Sequence, residues 1–425
     1  MGHQQDYQIA IIGAGASGLM AAAAAARSIP GDRILLLEKN AAAGRKLYAT
    51  GNGRCNFLNR NACPGDYFSR EGAETAKRWT SPVFRAVPPS VLESVFSQMG
   101  VPAAAQEEGR LYPRSMQAES VVEALLLTLE AAGIGIRTGS PVERCSKTPE
   151  GFLLEDAQGN SFLAGSVILA AGGKAGPQYG SQGDGYKLAA ELGHRILKPI
   201  PSLTQLLLED PDPSLFGVRV RGEVSLWRHR QGEACPAARD TGEIQLTREG
   251  ISGICTFNVS RFYEIGEGLR YTVRLDFFPE HSRQDLEALL KERKRTLAGR
   301  SAGSFLNGML PGKLAAALLK EAGVDREKPV ADLRPGEIPR ILELCKSYSR
   351  AVAGTKSWKD AQVTAGGVGL DEVDPCRLMS RLVPDLYFAG EVLDVDGPCG
   401  GYNLTWAFAS GWLAGRTAGE APCCG

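Results

Sequence analysis

Three glycines and one acid carry the first chemistry in this chain. Gly13-Ala14-Gly15-Ala16-Ser17-Gly18 follows the apolar run Gln8 to Ile12 and opens an alanine-rich segment that reaches Arg27. A second apolar run, Arg33 to Leu37, ends in Glu38, twenty residues after Gly18. Strand, tight turn, helix, strand and acid at this spacing form a βαβ unit that holds the ADP half of a dinucleotide. Gly13 permits the turn, Gly15 lets backbone approach a pyrophosphate, and Gly18 lets the helix pack on the strand with its N-terminal amides toward phosphate. Glu38 accepts hydrogen bonds from a ribose diol. The same carboxylate repels a 2′-phosphate, so the turn suits FAD or NAD and not NADP. An ordinary βα turn explains one glycine, not three.

The last third of the chain becomes glycine-rich again. Thr364 to Gly369 precedes a strand at Leu386 to Ala389, then Gly390-Glu391, then Gly397 to Asn403 and a helix through Trp412. A helix N-terminus at that point offers positive partial charge and free amides. In a flavin site it faces the N1/C2 carbonyl edge, where negative charge develops on reduction. The pattern selects FAD over NAD and predicts a cofactor domain split in sequence.

The elements that must position these groups follow from periodicity. Ser90 and Glu93 have capping-box spacing ahead of Val91, Val95 and Met99, with Gly100 closing a helix. A second helix is expected over Ala118 to Ala132. Short strands at Ile134 to Arg137, Val142 to Cys145, Phe152 to Asp156 and Ser161 to Ala171, with Gln158-Gly159-Asn160 as a turn, predict a meander that feeds back into the sheet. From about Pro199 to Phe278 the alternation is strand-like. From Arg283 to about Ser349 charged residues interleave with leucines, as in Asp285-Leu286-Glu287-Ala288-Leu289-Leu290, which predicts helices. The expected organisation is a first FAD-binding part over 1–198, a β-rich insert over 199–282, a helical insert over 283–350, and a second FAD-binding part over 351–425.

Composition narrows the function. Lys plus Arg equals Asp plus Glu at 48 each, so no global field draws the chain to nucleic acid or a membrane surface, and a small-molecule substrate is expected. No secretory leader and no run of ~20 apolar residues is visible, so the expected location is the cytoplasm and no membrane span is expected. Ten cysteines lack a CxxC pair or a nearby histidine, which reads as reduced thiols with no metal site. The Cys423-Cys424 pair reads as a frayed tail. The four histidines, His3, His194, His229 and His281, lie outside every glycine motif and read as packed or solvated.

Several ordered segments carry a resemblance. Gly44 to Asn56 (GRKLYATGNGRCN), Gly109 to Arg114 (GRLYPR), Ala170 to Lys174 (AAGGK), Val363 to Val368 (VTAGGV), Gly390 to Asp394 (GEVLD) and Gly400 to Asn403 (GGYN) are similar to the flavoprotein family described as BaiN-like or aminoacetone-oxidase-like. The resemblance implies an α/β fold. It is a glutathione-reductase-like, three-layer, Rossmann-like FAD-binding domain in two chain segments, interrupted by a β-barrel-like insert and a small helical insert. It also implies an NAD(P)/FAD-dependent oxidoreductase, with bile acids or amines among the substrates of relatives. FAD contacts carry over onto Gly13, Gly15, Ala16, Ser17, Gly18, Glu38, Lys39, Arg45, Lys46, Thr50, Gly51, Asn52, Val142, Ala171, Gly172, Gly390, Glu391, Gly401 and Asn403. Arg45 and Lys46 supply cations for pyrophosphate. Gly51-Asn52-Gly53 presents little side chain and suits the flavin ring.

Because the flavin performs the hydride chemistry, the protein need only orient the substrate and supply a proton. Arg54 and Arg114 are candidates to clamp a carboxylate or enone oxygen, and Tyr402 to donate the proton. Lys174 and Cys55 also fall near the ring, but no histidine supports a Cys55 thiolate. The expected activity is reduction of an unsaturated or carbonyl-bearing small organic substrate with electrons from NADH or NADPH. No second glycine fingerprint lies between Ala175 and Ala365, so the nicotinamide is expected to bind transiently or be replaced by another donor. The alternatives are a flavin-dependent nucleic-acid-modifying enzyme and a non-catalytic FAD-binding sensor or assembly protein.

Overall fold

The computed structural model describes residues 5–420, and the chain divides into two compact units. The first comprises Met1–Pro201 and Gln362–Gly425; the second is Ser202–Ala361. His3, Cys423 and Cys424 lie outside the described residues.

The first unit is built on a parallel sheet. Leu386–Phe388, Ser161–Leu169, Gln5–Ile12, Ile34–Leu37 and Ile136–Arg137 pair in parallel in that order, and Met379–Ser380 and then Val373–Asp374 extend the Leu386–Phe388 edge antiparallel. Residues 34–37 are buried without alternation, as a strand covered on both faces requires. Val142–Thr148 and Gly151–Asp156 form the antiparallel meander that leads into Ser161–Leu169. Its turn works as the residues suggest. Asp156 Oδ1 accepts from the Gln158 and Asn160 amides at 3.0 and 2.9 Å.

The alanine-rich helix Ala16–Ala25 packs against the last helix, Tyr402–Glu420. A Cβ on Gly411 would stand 2.3 Å from Ser17 O, and one on Gly415 2.1 Å from Ala21 O. Small residues on both helices thus bring the two ends of the chain into backbone contact. That is the physical reason for the run Met20 to Ala26, which otherwise looks like mere helix propensity.

One local expectation is corrected. Ser90 and Glu93 make no capping box: the helix Pro89–Gln98 starts on a proline at its first turn, with Pro88 as cap. Ser90 therefore lies inside the first turn, one residue past a proline that is favoured at the first helical position, and is not the cap. Glu93 instead pairs with Arg60 at 2.5 Å.

In the second unit six strands close a barrel in the order Leu206–Leu208, Gly250–Ser252, Glu233–Leu246, Arg219–Arg230, Arg270–Asp276, Tyr348–Thr355. Alternation points Val220, Val224 and Leu226 inward. The helices Arg283–Thr296, Gly312–Glu321 and Glu337–Lys346 add Leu286, Leu290, Leu314, Leu318, Ile341 and Leu342 to the same apolar core. Ser282 caps the first of these by accepting from Asp285 N at 3.1 Å. The expected boundary between 350 and 351 falls inside the barrel strand Tyr348–Thr355, and the helix Ile254–Ser260 interrupts the β-rich segment. Among the described residues no helix is long and apolar enough to cross a membrane.

Candidate active site

The first turn has the geometry its residues require. Gly13 sits at φ 105°, its N–H donates to Leu37 O at 2.8 Å, and a Cβ on Gly18 would lie 1.8 Å from Gly13 O. The helix Ala16–Ala25 begins at Gly15 with no side-chain cap and no acid in its first turn, so its leading amides are left for a ligand. A Cβ on Gly15 would meet nothing within 4 Å. Glu38, 7% exposed, accepts from Ala14 N at 2.9 Å through Oε2 and from Asn40 N at 2.8 Å through Oε1. Oε1 also accepts from Asn40 Nδ2 at 2.6 Å, so Oε2 is the oxygen that keeps a further lone pair for a diol. An uncapped helix start, open space beside Gly15 and a fixed carboxylate fit the ADP half of FAD.

Gly44 starts the short helix Arg45–Ala49. Arg45 donates to Asn40 Oδ1 at 3.0 Å, and Lys39 pairs with Asp184. Thr50 Oγ1 donates to Leu47 O at 2.7 Å. Then follows a run of left-handed backbone: Gly51 at φ 57°, Asn52 at 55°, Gly53 at 81° and, after Arg54, Cys55 at 54°. For Asn52 and Cys55 this conformation costs on the order of 1–2 kcal/mol each, and such strain clusters at ligand sites. Arg54 donates from Nε to Gly51 O at 3.2 Å and lies 5.3 Å from the Tyr112 ring centre. Cys55 is fully buried, and burial pushes its thiol up to about 11 against the opposing Thr50 hydrogen bond. A thiolate there is suppressed at neutral pH.

The far end of the chain docks onto the first turn. Gly390, at φ 79°, donates to Ser410 Oγ at 2.9 Å and accepts from Trp406 Nε1 at 3.2 Å. A Cβ at Gly390 would lie 2.5 Å from Ser17 Oγ. Glu391 Oε2 meets Lys46 Nζ at 3.0 Å, and its Oε1 accepts from Thr364 N at 2.7 Å. Thr364 Oγ1 in turn accepts from the Lys174 and Ala175 amides at 2.8 and 3.1 Å, which fixes the loop bearing Ala171 and Gly172. Lys174 itself is exposed, and Val142 pairs with Asp156 at the start of the meander.

Tyr402 opens the helix Tyr402–Glu420 and accepts at its carbonyl from Tyr67 Oη at 2.9 Å. Burial, then Asp66, Cys63 and Glu108, raise its phenol, opposed by Arg110, so it stays a proton donor. A Cβ on Gly401 would lie 2.6 Å from Leu58 O. Asn403 is not free to face a ligand with its amide: Oδ1 accepts from Gly397 N at 2.8 Å and Nδ2 donates to Gly397 O at 2.8 Å. It closes the loop before the helix.

Arg114 is exposed, beyond the end of the strand Arg110–Pro113, with its amide on Pro102 O. Arg110 stands nearer: its Nε lies 3.3 Å from where a Cβ on Gly400 would be. Strand period puts Arg110 and Tyr112 on one face, and the strand stops at Pro113, before Arg114. Asp394, which closes the GEVLD segment and has no role assigned from sequence, is fully buried and accepts from Ser69 Oγ at 2.6 Å, Arg70 N at 2.8 Å and Gly366 N at 2.9 Å. Burial raises it to about 6 despite those donors. His194 is buried between Glu372 and Ser380, at 3.2 and 2.9 Å, and His229 bonds Thr272 at 2.9 Å, so both are packed.

The family model for the HI0933-like protein Rossmann domain matches residues 7–417. The chain belongs to this family. It is 39% identical over 418 residues, 98% of this chain and all of the relative, to a 3-dehydro-bile acid delta(4,6)-reductase of Clostridium scindens. It is 29% identical to a ribosomal RNA dihydrouridine synthase of Escherichia coli, over 97% of this chain and 98% of the relative. A protein of that name from Haemophilus influenzae is 26% identical, over 95% and 96%. With this family, the Rossmann-like fold and the flavin-type cradle together, the chain is an FAD-dependent oxidoreductase.

Proposed function

We propose that the protein reduces a carbon–carbon double bond conjugated to a carbonyl group in a small organic substrate, drawing electrons from NADH or NADPH. The observation that carries this reading is Tyr402, a partly buried phenol placed at the glycine-built start of the helix Tyr402–Glu420. Reducing a conjugated double bond needs a hydride at one carbon, a proton at the other and a positive group at the carbonyl oxygen. Bound FAD supplies the hydride. Tyr402 donates the proton, and Arg54, anchored on Gly51 O, faces the carbonyl oxygen. The names of the relatives support the bond type. A delta(4,6)-reductase and a dihydrouridine synthase both saturate a carbon–carbon double bond conjugated to a carbonyl.

In this reading Gly13, Gly15, Ala16, Ser17, Gly18 and Glu38 hold the ADP half, with Val142 at the adenine. Lys39, Arg45, Lys46, Ala171 and Gly172 line the pyrophosphate and ribityl chain with Gly390 and Glu391. Thr50, Gly51, Asn52 and Gly401 lie against the flavin, and Asn403 acts by shaping the loop. Nicotinamide binds transiently, since the chain has no second glycine fingerprint for it. A cytoplasmic location accords with the described cysteines, all of them thiols.

The test is anaerobic mixing of the yellow protein with NADH and NADPH, then with a 4-en-3-one steroid. Bleaching, followed by recovery faster than with oxygen and a product two mass units heavier, is expected. Absence of bleaching with both nucleotides removes the donor; absence of recovery with any enone removes the substrate class. The second reading, reduction of uridine in ribosomal RNA, rests on the 29% and 26% relatives. The balanced charge of 48 against 48 gives no field toward RNA. Dihydrouridine appearing in rRNA incubated with the protein would establish it instead.

A further inference from the structure

The turn Glu107–Gly109 holds two successive left-handed residues, Glu108 at φ 59° and Gly109 at φ 75°. Gly109 has little choice, because a Cβ there would lie 2.7 Å from the Asn61 side chain and 2.8 Å from Asn59 Oδ1. Glu108 has a side chain and adopts the conformation regardless, and the result is that its carboxylate pairs with the Arg110 guanidinium. The pair is asymmetric. The Arg110 side chain is 26% exposed and that of Glu108 is 71% exposed. The guanidinium is therefore the more buried member of the pair, and its carboxylate partner stands largely in solvent.

Asn59, almost fully buried, ties this turn to the start of the last helix. Its Nδ2 donates to Gly400 O at 2.8 Å and to Glu108 O at 3.1 Å. Arg110 consequently lies against Gly400, and both Arg110 and Glu108 act electrostatically on the Tyr402 phenol. Exposed ion pairs are weak and exchange readily with ions in solution, whereas a guanidinium recognises any carboxylate in the same two-pronged way.

We propose that Arg110 is a specificity-determining anion contact and Glu108 its displaceable occupant: a carboxylate on the substrate takes the place of Glu108 on the guanidinium. This rests on the reading of Tyr402 and its surroundings as the substrate end of the flavin site. Neutral ketones meet an already neutralised pair. Substrates with a carboxylate gain a guanidinium contact, at the cost of releasing Glu108 to water, where it is already largely solvated.

Benzoate binding to the FAD-loaded protein, followed by calorimetry at neutral pH and low salt, tests this. Glu108→Gln removes the competitor and is expected to tighten benzoate about two- to five-fold, the strength of one exposed ion pair. Arg110→Gln is expected to weaken it at least about tenfold, as loss of a charged hydrogen-bonding partner does. Benzoate bound equally by the wild type and Arg110→Gln, no tightening in Glu108→Gln, or no binding at all overturns the proposal. Flavin content and bleaching by the nucleotide donor are measured on the same samples. If those are intact while benzoate is indifferent to Arg110, the anion assignment alone falls; if the protein carries no flavin, the underlying site reading falls with it.

Discussion

Lys46 Nζ and Glu391 Oε2 stand 3.0 Å apart although 345 positions separate them in sequence. Their side chains are 30% and 22% exposed, so the pair is partly screened. It joins the short helix after the first βαβ unit to the glycine turn at the far end. Replacing Glu391 by Gln leaves the Thr364 amide an acceptor but removes the charge beside Lys46. The expected result is FAD affinity reduced about five- to thirtyfold, from a loss of about 1–2 kcal/mol, read from flavin released on dilution. Unchanged affinity would show that the pair stands outside the cofactor site.

Gly390 is expected to tolerate no side chain. Alanine there adopts a left-handed φ of 79° and places its Cβ 2.5 Å from Ser17 Oγ. A loss of about 2–4 kcal/mol of stability is predicted for Gly390→Ala in denaturant unfolding. Adding Ser17→Gly removes the clash but not the backbone strain, so the double variant should recover part of the loss. Strict additivity of the two changes would contradict the contact.

Asp394 makes stability depend on pH in an unusual direction. Its folded pKa, about 6, lies above the unfolded value near ~3.9. The folded state therefore binds the extra proton, and the contribution is fully present below about pH 4 and lost as pH rises through 6. Between those limits the stability of the wild type relative to Asp394→Asn should fall by about 1–3 kcal/mol. A relative stability that stays flat or climbs over that interval would show that Asp394 is ionised throughout.

Thiol reactivity should divide by burial. Cys55, Cys145 and Cys345 are buried with thiols pushed to about 11, 12 and 12, whereas Cys63, Cys235 and Cys376 are exposed. Brief alkylation at neutral pH, mapped by mass spectrometry, should mark the exposed three and spare the buried three until the protein unfolds. Labelling of Cys55 as fast as Cys376 would restore it as a reactive group.

The parts of the fold legible in the sequence are those written locally. Gly13 to Glu38 encode strand, turn, helix and acid within one short segment, and each forms as its spacing requires. The meander after Val142 is local as well. Contacts made at long range were not legible. The strand Tyr348–Thr355 pairs with Leu206–Leu208 and Arg270–Asp276, which lie far back in the chain, and it follows a helix, so helical periodicity masked it. Glu391 offered no sign that its partner was Lys46. Arg114 is the last charge of its motif, yet the strand ends at Pro113, so Arg110 and Tyr112 share its face and Arg114 lies beyond it. Ser90 and Glu93 have the right spacing for a cap, but the helix starts at Pro89 with Pro88 as cap, so Ser90 falls inside its first turn.

The central claim is that the first turn, completed by the chain's last segments, holds FAD, and Gly15 tests it most directly. Its φ of −84° suits any residue, and a Cβ there meets no protein atom within 4 Å. Gly15→Val should therefore fold normally, while its side chain occupies the path of the pyrophosphate. Flavin absorbance of the purified proteins is the measurement. One FAD per chain in the wild type and a folded, colourless Gly15→Val are predicted; a Gly15→Val protein that retains stoichiometric FAD contradicts the account.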